Sequence, residues 1–241
     1  MTRLEVVRAG RQPYRPVWEL QRRLALARRR GLIDDVLLLL EHPPTYTIGR
    51  GGSWDNLLIG ADELAALGAE CVTADRGGDI TFHGPGQLVA YLIHDLGRGE
   101  RSVRRYVARL EASVMRTLAV WGVAGAAEPG YPGVWLGRDK IAALGVAVSR
   151  GVTYHGIALN VDVDLRFFEA MIPCGLPDRG ATSLARELGQ APPLPTVADR
   201  FVASLADVFA ANVTERLTLA DLCAIGQQAG ESEAAVRGSR H

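Results

Sequence analysis

The sequence predicts an α+β fold in which mixed or antiparallel sheets are flanked by helices. Segments with strand character are grouped along the chain instead of alternating strictly with helices, which favours this class over a doubly wound sheet. Several helical segments carry apolar residues on one face, so we expect them to pack against the sheets. With 241 residues, of which 48% are hydrophobic and 22% charged, the chain is expected to form one domain over residues 1–241.

The first predicted helix begins near Pro16, which suits a first helical turn, and ends at Gly31. Residues 28–30 are all arginines near its C-terminus, where positive charge suits the helix dipole, and we expect them to be solvated. The apolar residues that recur at helical spacing are Val17, Leu20, Leu24 and Ala27.

A central strand is predicted in DDVLLLLEH, residues 34–42, and Pro43 and Pro44 end it. Three further strands are predicted in the segments CVTADR, DITFH and QLVAYLIHDL, which glycine-containing turns separate. A second amphipathic helix begins after Ser102, a suitable N-cap. The segment 133–165 is rich in Val, Ile and Thr and contains two turn signals, which is typical of a strand meander.

The C-terminal part of the chain is predicted to be mainly helical. A short helix in FFEAM is broken by Pro173, and a second short helix follows in TSLARELG. A longer helix is predicted to begin at Thr196, with Asp199 in capping-box spacing. From about Gln227 the sequence is polar, and we expect a frayed tail.

Charge and composition argue against several classes of protein. Lys and Arg number 27, as do Asp and Glu, so no net charge points to nucleic acid or anionic lipid. The N-terminus lacks the apolar core of a signal peptide, and the longest apolar run, residues 36–40, is too short to cross a bilayer. Three widely spaced cysteines do not form a disulfide framework. We therefore expect a cytoplasmic monomer that binds neither membrane nor nucleic acid.

Several common catalytic motifs are missing from the sequence. There is no P-loop, no complete GxGxxG after a strand, no HExxH or clustered Cys/His spacing, and no GxSxG. We therefore expect neither a metal ion nor a cofactor.

Cys174 is the first candidate for chemistry. It lies between Pro173 and Gly175, at a break in the chain and not on an apolar helical face. The glycine leaves backbone N–H groups open to a reacting oxygen, which suits nucleophilic catalysis. The alternative is a buried structural thiol, which is the interpretation we favour for Cys71 and Cys223.

Lys140 is the second candidate and the only lysine in the chain. Burial can lower the pKa of a lysine enough for it to accept and donate protons, whereas arginine stays charged. A lysine close to a cysteine would also stabilise the thiolate. The alternative is a solvated lysine in a turn.

The third candidate is the segment RGGDITFHGPGQ, residues 76–87. Glycine and proline weaken strands, so their concentration suggests that the backbone approaches a ligand closely. Strand spacing places Thr81 and His83 on one face, and Ile80 and Phe82 on the other. The histidine is either a hydrogen-bonded structural group or a catalytic base.

Taken together, these segments resemble one family. The sequences RGGDITFHGPGQLVAYLIHDL, KIAALGVAVSRGVTYHGIALNVDVDL and IPCG followed by TSL are similar to those of the lipoyl(octanoyl) transferases, from about Leu37 to Leu188. That family is related in fold to lipoate and biotin protein ligases. The resemblance therefore implies the catalytic fold of those ligases.

The resemblance implies transfer of an octanoyl group from octanoyl-acyl carrier protein to the ε-amino group of a lysine on a lipoyl domain. This is the first step of endogenous protein lipoylation, and the implied acceptors are the lipoyl domains of 2-oxoacid dehydrogenase E2 subunits and the glycine cleavage H protein. The cysteine that carries the acyl group in the family corresponds to Cys174, and the lysine that lowers its pKa corresponds to Lys140.

The resemblance also implies an acyl pocket with walls from three segments. Arg76, in the first segment, has two interpretations: contact with the carrier's phosphopantetheine or acidic surface, or hydrogen bonds that only hold the loop. Two other classes stay open, an ATP-dependent lipoate or biotin ligase and a non-enzymatic protein that binds lipoyl domains or carriers. The implied pocket residues are Arg76, Gly77, Gly78, Asp79, Ile80, Thr81, Phe82, His83, Ala143, Leu144, Gly145, Gly156, Ile157 and Ala158.

Overall fold

The computed structural model describes residues 2–97, 102–172 and 178–238, with the side chains of 233–238 excepted. Cys174 lies outside the described residues. Within the described part, strands and helices form a mixed α+β structure, as predicted.

Twelve strands are present in the described residues. They are β1 (Thr2–Arg11), β2 (Asp35–Glu41), β3 (Thr45–Ile48), β4 (Glu70–Thr73), β5 (Ile80–His83), β6 (Gln87–Ile93), β7 (Ala126–Glu128), β8 (Tyr131–Leu136), β9 (Asp139–Ser149), β10 (Val152–Asn160), β11 (Gly180–Ala181) and β12 (Ala211–Thr214).

Seven α-helices accompany them over the same ranges of the chain, with a 3₁₀ turn at Trp54–Asn56. They are α1 (Tyr14–Arg29), α2 (Ala61–Ala66), α3 (Val103–Ala119), α4 (Arg166–Glu169), α5 (Leu184–Leu188), α6 (Leu194–Phe209) and α7 (Leu219–Gly238). None of these helices is both long and apolar enough to traverse a lipid bilayer.

One large mixed sheet has the order β12-β1-β2-β6-β10-β9-β8-β7, with β11 paired to β9. Strand β1 is parallel to both β12 and β2, and the strands from β2 to β7 along the sheet are antiparallel. A small second sheet has the order β4-β3-β5. The predicted central strand is confirmed, because β2 is paired on both sides.

Helices cover both faces of the large sheet, which explains the continuous apolar run in β2. Leu37 and Leu39 pack in one core with α3 and α6, while Val36, Leu38 and Leu40 pack in another with α1 and α7. Successive strand residues point to opposite faces, so a strand covered on both faces needs apolar residues throughout.

The ends of the helices agree with the sequence at two positions. Gly31, with φ +72°, follows the end of α1, and Ser102 caps α3 by accepting a hydrogen bond from the Arg105 amide. The predicted start of α6 at Thr196 is wrong: the helix begins at Leu194, after Pro193. Prolines at 193 and 195 suit a first helical turn, so they set the start instead of a capping box.

Two of the three arginines at the end of α1 are bound to other elements. Arg28 pairs with Asp35 of β2 at 2.7 Å, and Arg30 donates to the carbonyl of Ala229 in α7 at 2.9 Å. The expectation that all three are simply solvated is therefore wrong. Helix α7 continues to Gly238, so the tail expected from about Gln227 is helical over this range.

Candidate active site

An apolar cavity of about 310 Å³, here called the slot, lies beside strand β9. Its walls come from the loop 76–79, from β5, β9 and β10, and from side chains of α3 and α4. Lys140 and Val146 both line it and are six residues apart on β9. At about 3.3 Å per strand residue, the slot extends roughly 20 Å along the strand.

The slot brings together most of the residues that the sequence singled out. Those that line it are Arg76, Gly77, Gly78, Asp79, Ile80, Thr81, His83, Lys140, Ala143, Leu144, Gly145, Gly156, Ile157 and Ala158. Phe82, which was also expected in the wall, does not line the slot. Its ring points into a separate core and stacks on Phe167, with ring centroids 4.4 Å apart.

Lys140 is half-buried at the first residues of β9. Its Nζ lies 3.5 Å from the carbonyl oxygen of Pro132 and 4.5 Å from the ring centroid of Trp135. A Cβ atom on Gly133 would lie 3.2 Å from Cε of Lys140, so the glycine leaves room for the lysine stem. The Nζ atom thus lies against an aromatic face and a carbonyl oxygen.

Glu111 is a buried carboxyl close to Lys140 that the sequence did not reveal. Burial raises the pKa of Glu111, while the N–H of Gly133, 3.1 Å from its Oε1, and the charge of Lys140 act in the opposite direction. Glu111 lies on α3 at an ordinary helical position, so no local pattern distinguishes it.

The described residues on both sides of Cys174 lie at the slot. Met171 lines it on one side, and the amide of the next residue, Ile172, donates to the carbonyl of Asn56 at 2.8 Å. On the other side, β11 lines the slot and is paired with β9, with Ala181 opposite Lys140. Cys174 itself lies outside the described residues.

Arg76 is buried and bound by carbonyl and hydroxyl oxygens of its own region. It donates to the carbonyl of Thr47 at 2.6 Å, to the hydroxyl of Thr47 at 2.7 Å, and to the carbonyls of Gly77 and Asp79 at 3.1 and 2.8 Å. These bonds fix the loop 76–79 to strand β3. The geometry favours the interpretation in which Arg76 holds the loop.

The glycines of this region serve two different purposes. Gly77 and Gly78 line the slot, and Gly78 has φ +84°, which favours glycine. Gly86 does not line it; a Cβ there would lie 2.3 Å from the carbonyl oxygen of Asp162. A Cβ on Gly156 would likewise lie 2.2 Å from the carbonyl oxygen of Ala90. Close approach of one backbone to another therefore explains Gly86, and it also requires a glycine at position 156, which lines the slot.

His83 takes part in a buried hydrogen-bond network. Its Nδ1 lies 2.9 Å from Oε1 of Gln87, whose amide group donates to Asn160 at 2.9 Å. Burial lowers the pKa of His83 well below its usual range, so the ring is neutral. These contacts explain its position as a structural group.

Two residues that the sequence did not single out, Tyr14 and His155, are buried in the wall of the slot. Burial raises the pKa of Tyr14 to about 12, although the charge of Arg76 opposes the rise. The Tyr14 hydroxyl and the His155 Nδ1 have no hydrogen-bond partner among the residues that the structure describes. Local sequence carries no signal for either, because helix α1 and strand β10 bring them to the slot from distant parts of the chain.

Across the three ranges that the structure describes, no group of His, Cys, Asp or Glu side chains has the arrangement of a metal site. The main features of the slot are its apolar walls, its lysine and its buried aromatic residues.

Comparison with known proteins identifies the family of the chain. Residues 13–206 match the family described as the lipoyl protein ligase A/B catalytic domain. The chain is 52% identical over 212 residues to an octanoyltransferase of Chloroflexus aggregans, and 51% identical over 213 residues to one of Chloroflexus aurantiacus. Each match covers 87% of this chain and 96% of the relative.

Solved structures confirm the predicted relation in fold. Lipoate-protein ligase A bound with ATP matches with a TM-score of 0.74 at 15% identity, over 94% of this chain and 93% of that one. Biotin protein ligase from Aquifex aeolicus, in complex with biotin and ATP, matches with a TM-score of 0.53 at 14% identity, over 87% and 71%. The chain belongs to the lipoyl protein ligase A/B catalytic domain family and, within it, to the octanoyltransferases.

Proposed function

We propose that this chain transfers an octanoyl group from octanoyl-acyl carrier protein to the ε-amino group of a lysine on a lipoyl domain. In this proposal Cys174 carries the acyl group as a thioester, and Lys140 moves the protons. The observation that carries the proposal is the slot, an apolar cavity with the only lysine of the chain in its wall. The proposed acceptors are E2 lipoyl domains and the glycine cleavage H protein, and the proposed compartment is the cytoplasm.

The size and lining of the slot suit a short acyl chain. A volume of about 310 Å³ lies at the lower end of the range of ligand pockets. Apolar side chains supply much of the wall, among them Leu144, Val107 and Ile157. Burying methylene groups against such walls stabilises the complex by up to ~0.8 kcal/mol for each group.

The position of the neighbours of Cys174 supports its role as the nucleophile. Met171 lies three residues before it and Ala181 seven residues after it, and both line the slot with Lys140. Short connections of this kind keep a residue near both of its anchors. We therefore propose that the sulfur of Cys174 reaches the vicinity of Lys140 Nζ.

In the proposed first half-reaction, the Cys174 thiolate, stabilised by the Lys140 ammonium, attacks the carbonyl carbon of the carrier thioester. The bond from that carbon to the carrier sulfur breaks, and the released carrier thiolate takes a proton from Lys140. The products are the octanoyl-Cys174 thioester, neutral Lys140 and the carrier thiol. One thioester replaces another, so no nucleotide is needed.

In the proposed second half-reaction, the neutral amine of the acceptor lysine attacks the octanoyl-Cys174 carbonyl. The carbon–sulfur bond breaks, the amide forms, and the amine proton passes to Lys140. The Cys174 thiolate and the Lys140 ammonium are thereby restored. Arginine could not serve here, because it does not lose its proton.

The experiment that tests this function is intact-mass measurement after mixing the protein with octanoyl-loaded carrier and no nucleotide. Wild type is expected to gain one octanoyl group, which a lipoyl domain then removes, and Cys174→Ala is expected to gain none. An unmodified wild-type protein that transfers octanoate only when ATP is added would establish the ligase alternative. Binding of the carrier with neither adduct nor transfer would establish the non-enzymatic alternative.

A further inference from the structure

Two polar side chains in the wall of the slot carry an atom with no hydrogen-bond partner within the ranges that the structure describes. The two atoms are the Tyr14 hydroxyl and the Nδ1 of His155, and each residue is only 1% exposed. Buried polar groups are normally hydrogen-bonded, because an unpaired group loses its hydration without compensation. These two atoms therefore indicate a partner that the chain itself does not supply.

Both residues belong to the end of the slot that lies away from Lys140. His155 pairs across the strands with Val146, which lies six residues after Lys140 on β9 and therefore roughly 20 Å along the strand. Trp18 contacts both residues, because its ring centroid lies 6.4 Å from that of Tyr14 and 6.4 Å from that of His155. We call this part of the slot, formed by Tyr14 and His155, the polar end.

Another cavity, of about 690 Å³, is lined by Asp75, but Tyr14 and His155 do not line it. We call it the arginine groove, because five arginines contribute to its wall. They are Arg22, Arg23, Arg29, Arg50 and Arg150. Since Tyr14 and His155 line the slot and not the groove, a partner for their two atoms has to come from the slot.

The charge of Arg76 acts on Tyr14, but its N–H groups are directed elsewhere. They donate to oxygens of Thr47, Gly77 and Asp79 in five hydrogen bonds. A guanidinium has five N–H donors, so these bonds use its full donor capacity. The Tyr14 hydroxyl therefore needs a different partner.

The chemistry of the two atoms defines the partner. Nε2 of His155 lies 2.9 Å from a carboxylate oxygen of Asp75, which only accepts, so Nε2 carries the ring proton. Burial lowers the pKa of His155 and keeps the ring neutral, so Nδ1 is a hydrogen-bond acceptor. The Tyr14 hydroxyl has a proton to donate. Water or an alcohol can donate to one and accept from the other, whereas a carbonyl only accepts and an ammonium only donates.

The backbone of His155 adds an independent observation. Its φ is +61° within strand β10, a conformation that is uncommon for residues other than glycine. Residues in such conformations cluster at functional sites. Here the ring contacts Asp75 with one nitrogen and leaves the other nitrogen at the slot.

We infer that the polar end of the slot is a binding site for a hydroxyl group. The hydroxyl comes from a water molecule beyond a short acyl chain, or from the terminus of a longer ω-hydroxyacyl chain, which makes ω-hydroxyacyl donors additional substrates. The part that concerns donors rests on the proposed function. The hydroxyl takes no part in the reaction, so the transfer chemistry is the same as for octanoyl.

The length of the slot agrees with this division. An octanoyl chain has seven carbon–carbon bonds of about 1.5 Å, so it cannot exceed about 11 Å. The slot extends roughly 20 Å along β9 and therefore leaves room for water beyond the chain.

A plain acyl chain that reaches the polar end displaces the water and leaves both polar atoms unpaired. A site built to bind a substrate hydroxyl discriminates against an analogue that lacks it, because its buried polar groups then have no partner. The polar end therefore limits the length of plain acyl chains and tolerates a hydroxylated chain of the same length.

The test measures kcat/KM for acyl-pantetheines, which are donors without a carrier protein, in a series from octanoyl to hexadecanoyl. Each length is used with a plain and with an ω-hydroxylated terminus. The ratio of hydroxylated to plain should be near one for octanoyl and should reach at least ~10 at the length that first meets the polar end. A ratio near one at every length would overturn the use of ω-hydroxyacyl donors.

Tyr14→Phe removes only the hydroxyl and should lower that ratio about 5-fold. It should not lower the free energy of unfolding, because the lost hydroxyl has no partner among the described residues. The matched control is Tyr46→Phe, whose hydroxyl donates to the carbonyl of Phe167 at 2.8 Å and does not line the slot. The control should keep the wild-type ratio and should lower the free energy of unfolding. An unchanged ratio in Tyr14→Phe would overturn the assignment of the hydroxyl site to Tyr14.

Calorimetric binding of two isomers, nonanol and octyl methyl ether, tests the site without any transfer. The ether accepts a hydrogen bond but has none to donate to His155, so wild type should bind the alcohol about 10-fold more tightly. Tyr14→Phe should narrow this difference, and Tyr46→Phe should keep it.

Equal affinity of wild type for the two isomers would overturn the hydroxyl site, as would a difference that Tyr14→Phe leaves unchanged. A preference for the alcohol with no preference for hydroxylated donors would overturn the additional substrates and establish water as the occupant. Wild type that transfers an acyl group from no donor would instead overturn the proposed function, and the calorimetry would still decide for or against the hydroxyl site.

Discussion

The Nε2 atom of His155 lies 2.9 Å from Oδ1 of Asp75, and this pair forms part of the wall between the two cavities of the protein. Asp75 lines the arginine groove, and His155 lines the slot. Trp18 and Tyr154 also donate to Asp75, at 2.8 and 2.6 Å. His155 has φ +61°, a conformation that is uncommon for residues other than glycine, and its amide donates to Gln21 Oε1 at 2.7 Å.

We predict that Asp75→Asn destabilises the fold. An asparagine side chain has one oxygen that accepts and one NH2 group that only donates, so it cannot accept all three hydrogen bonds that the two carboxylate oxygens accept. Burial alone would raise the pKa of Asp75, but the hydrogen bonds from His155, Tyr154 and Trp18 outweigh it and lower the pKa. Loss of one charged hydrogen bond should lower the free energy of unfolding by about 2 kcal/mol, measured by urea denaturation. The exposed Asp62→Asn is the control and should leave it unchanged. Equal stability of the two variants would contradict this account of the wall.

We predict that Arg76→Lys both destabilises the protein and weakens binding of every octanoyl donor. A lysine cannot reproduce the planar set of bonds to Thr47, Gly77 and Asp79, so carbonyl groups of the loop 76–79 lose partners. The free energy of unfolding should fall by about 2–3 kcal/mol. KM should rise for octanoyl-pantetheine as well as for octanoyl-carrier protein, because the loop lines the slot, in which both donors place the acyl chain.

Arg3→Lys, at an exposed position, serves as the control for the Arg76 prediction. A selective rise in KM for the carrier alone in Arg76→Lys would instead favour direct contact between Arg76 and the carrier.

We predict that Lys140→Arg allows the acyl-enzyme to form but slows its transfer to the lipoyl domain by about 100-fold. Arginine keeps the positive charge that stabilises a thiolate, but it cannot become neutral and accept the amine proton. Single-turnover experiments with intact-mass detection should show that the octanoyl adduct accumulates. Lys140→Met removes the charge as well and should also slow formation of the adduct. Rapid, wild-type loss of the adduct in Lys140→Arg would show that Lys140 does not accept the proton.

We predict that Ala143→Leu shifts the preference of the enzyme towards shorter acyl chains. Ala143 on β9 and its cross-strand neighbour Ala158 on β10 both line the slot. A leucine at position 143 adds three carbons to the wall, which should shorten the acyl chain that the slot can hold. The ratio of kcat/KM for octanoyl to that for hexanoyl donors should fall by at least ~10-fold. Ala65→Leu, on the exposed side of α2, makes the same change away from the slot and should keep the wild-type ratio. An unchanged ratio in Ala143→Leu would place the acyl chain elsewhere.

We predict that the protein loses stability as the pH falls from 7 to 5. Burial lowers the pKa of His42 to about 4, lowers that of His83 well below its usual range, and lowers that of His155 despite the Asp75 charge. In the unfolded chain each histidine titrates near pH 6.5. Their contribution to stability is therefore complete above that pH and is lost as the pH falls below it, because the unfolded chain then binds protons that the native protein does not.

The measurement for this prediction is urea denaturation at several pH values. Each histidine contributes a slope of up to about 1.4 kcal/mol per pH unit below pH 6.5. His42→Gln should reduce the total slope by the contribution of one histidine. A free energy of unfolding that is constant between pH 7 and 5 would show that these rings are not held neutral.

Much of this protein could be read from the sequence. The apolar run of β2, the Ser102 cap, the unique Lys140 and the motif beginning at Arg76 are local patterns, and local patterns reflect backbone preference and the periodicity of burial. Resemblance to a family added the fold and about half of the residues that line the slot. Strand β1 is one of several elements that the sequence left unassigned, and it is stabilised by its pairing with β2 and β12, which no local pattern reports.

Tertiary structure alone decided which side chains meet. Arg22 and Arg150 stand 128 positions apart in the chain and share a groove, and Asp75 and His155 meet across 80 positions. Each of these residues has an ordinary local sequence. They meet because α1 crosses the sheet and because β9 and β10 pair in one particular register. Contacts of this kind are set by the packing of whole elements, whereas periodicity records only whether a residue is buried.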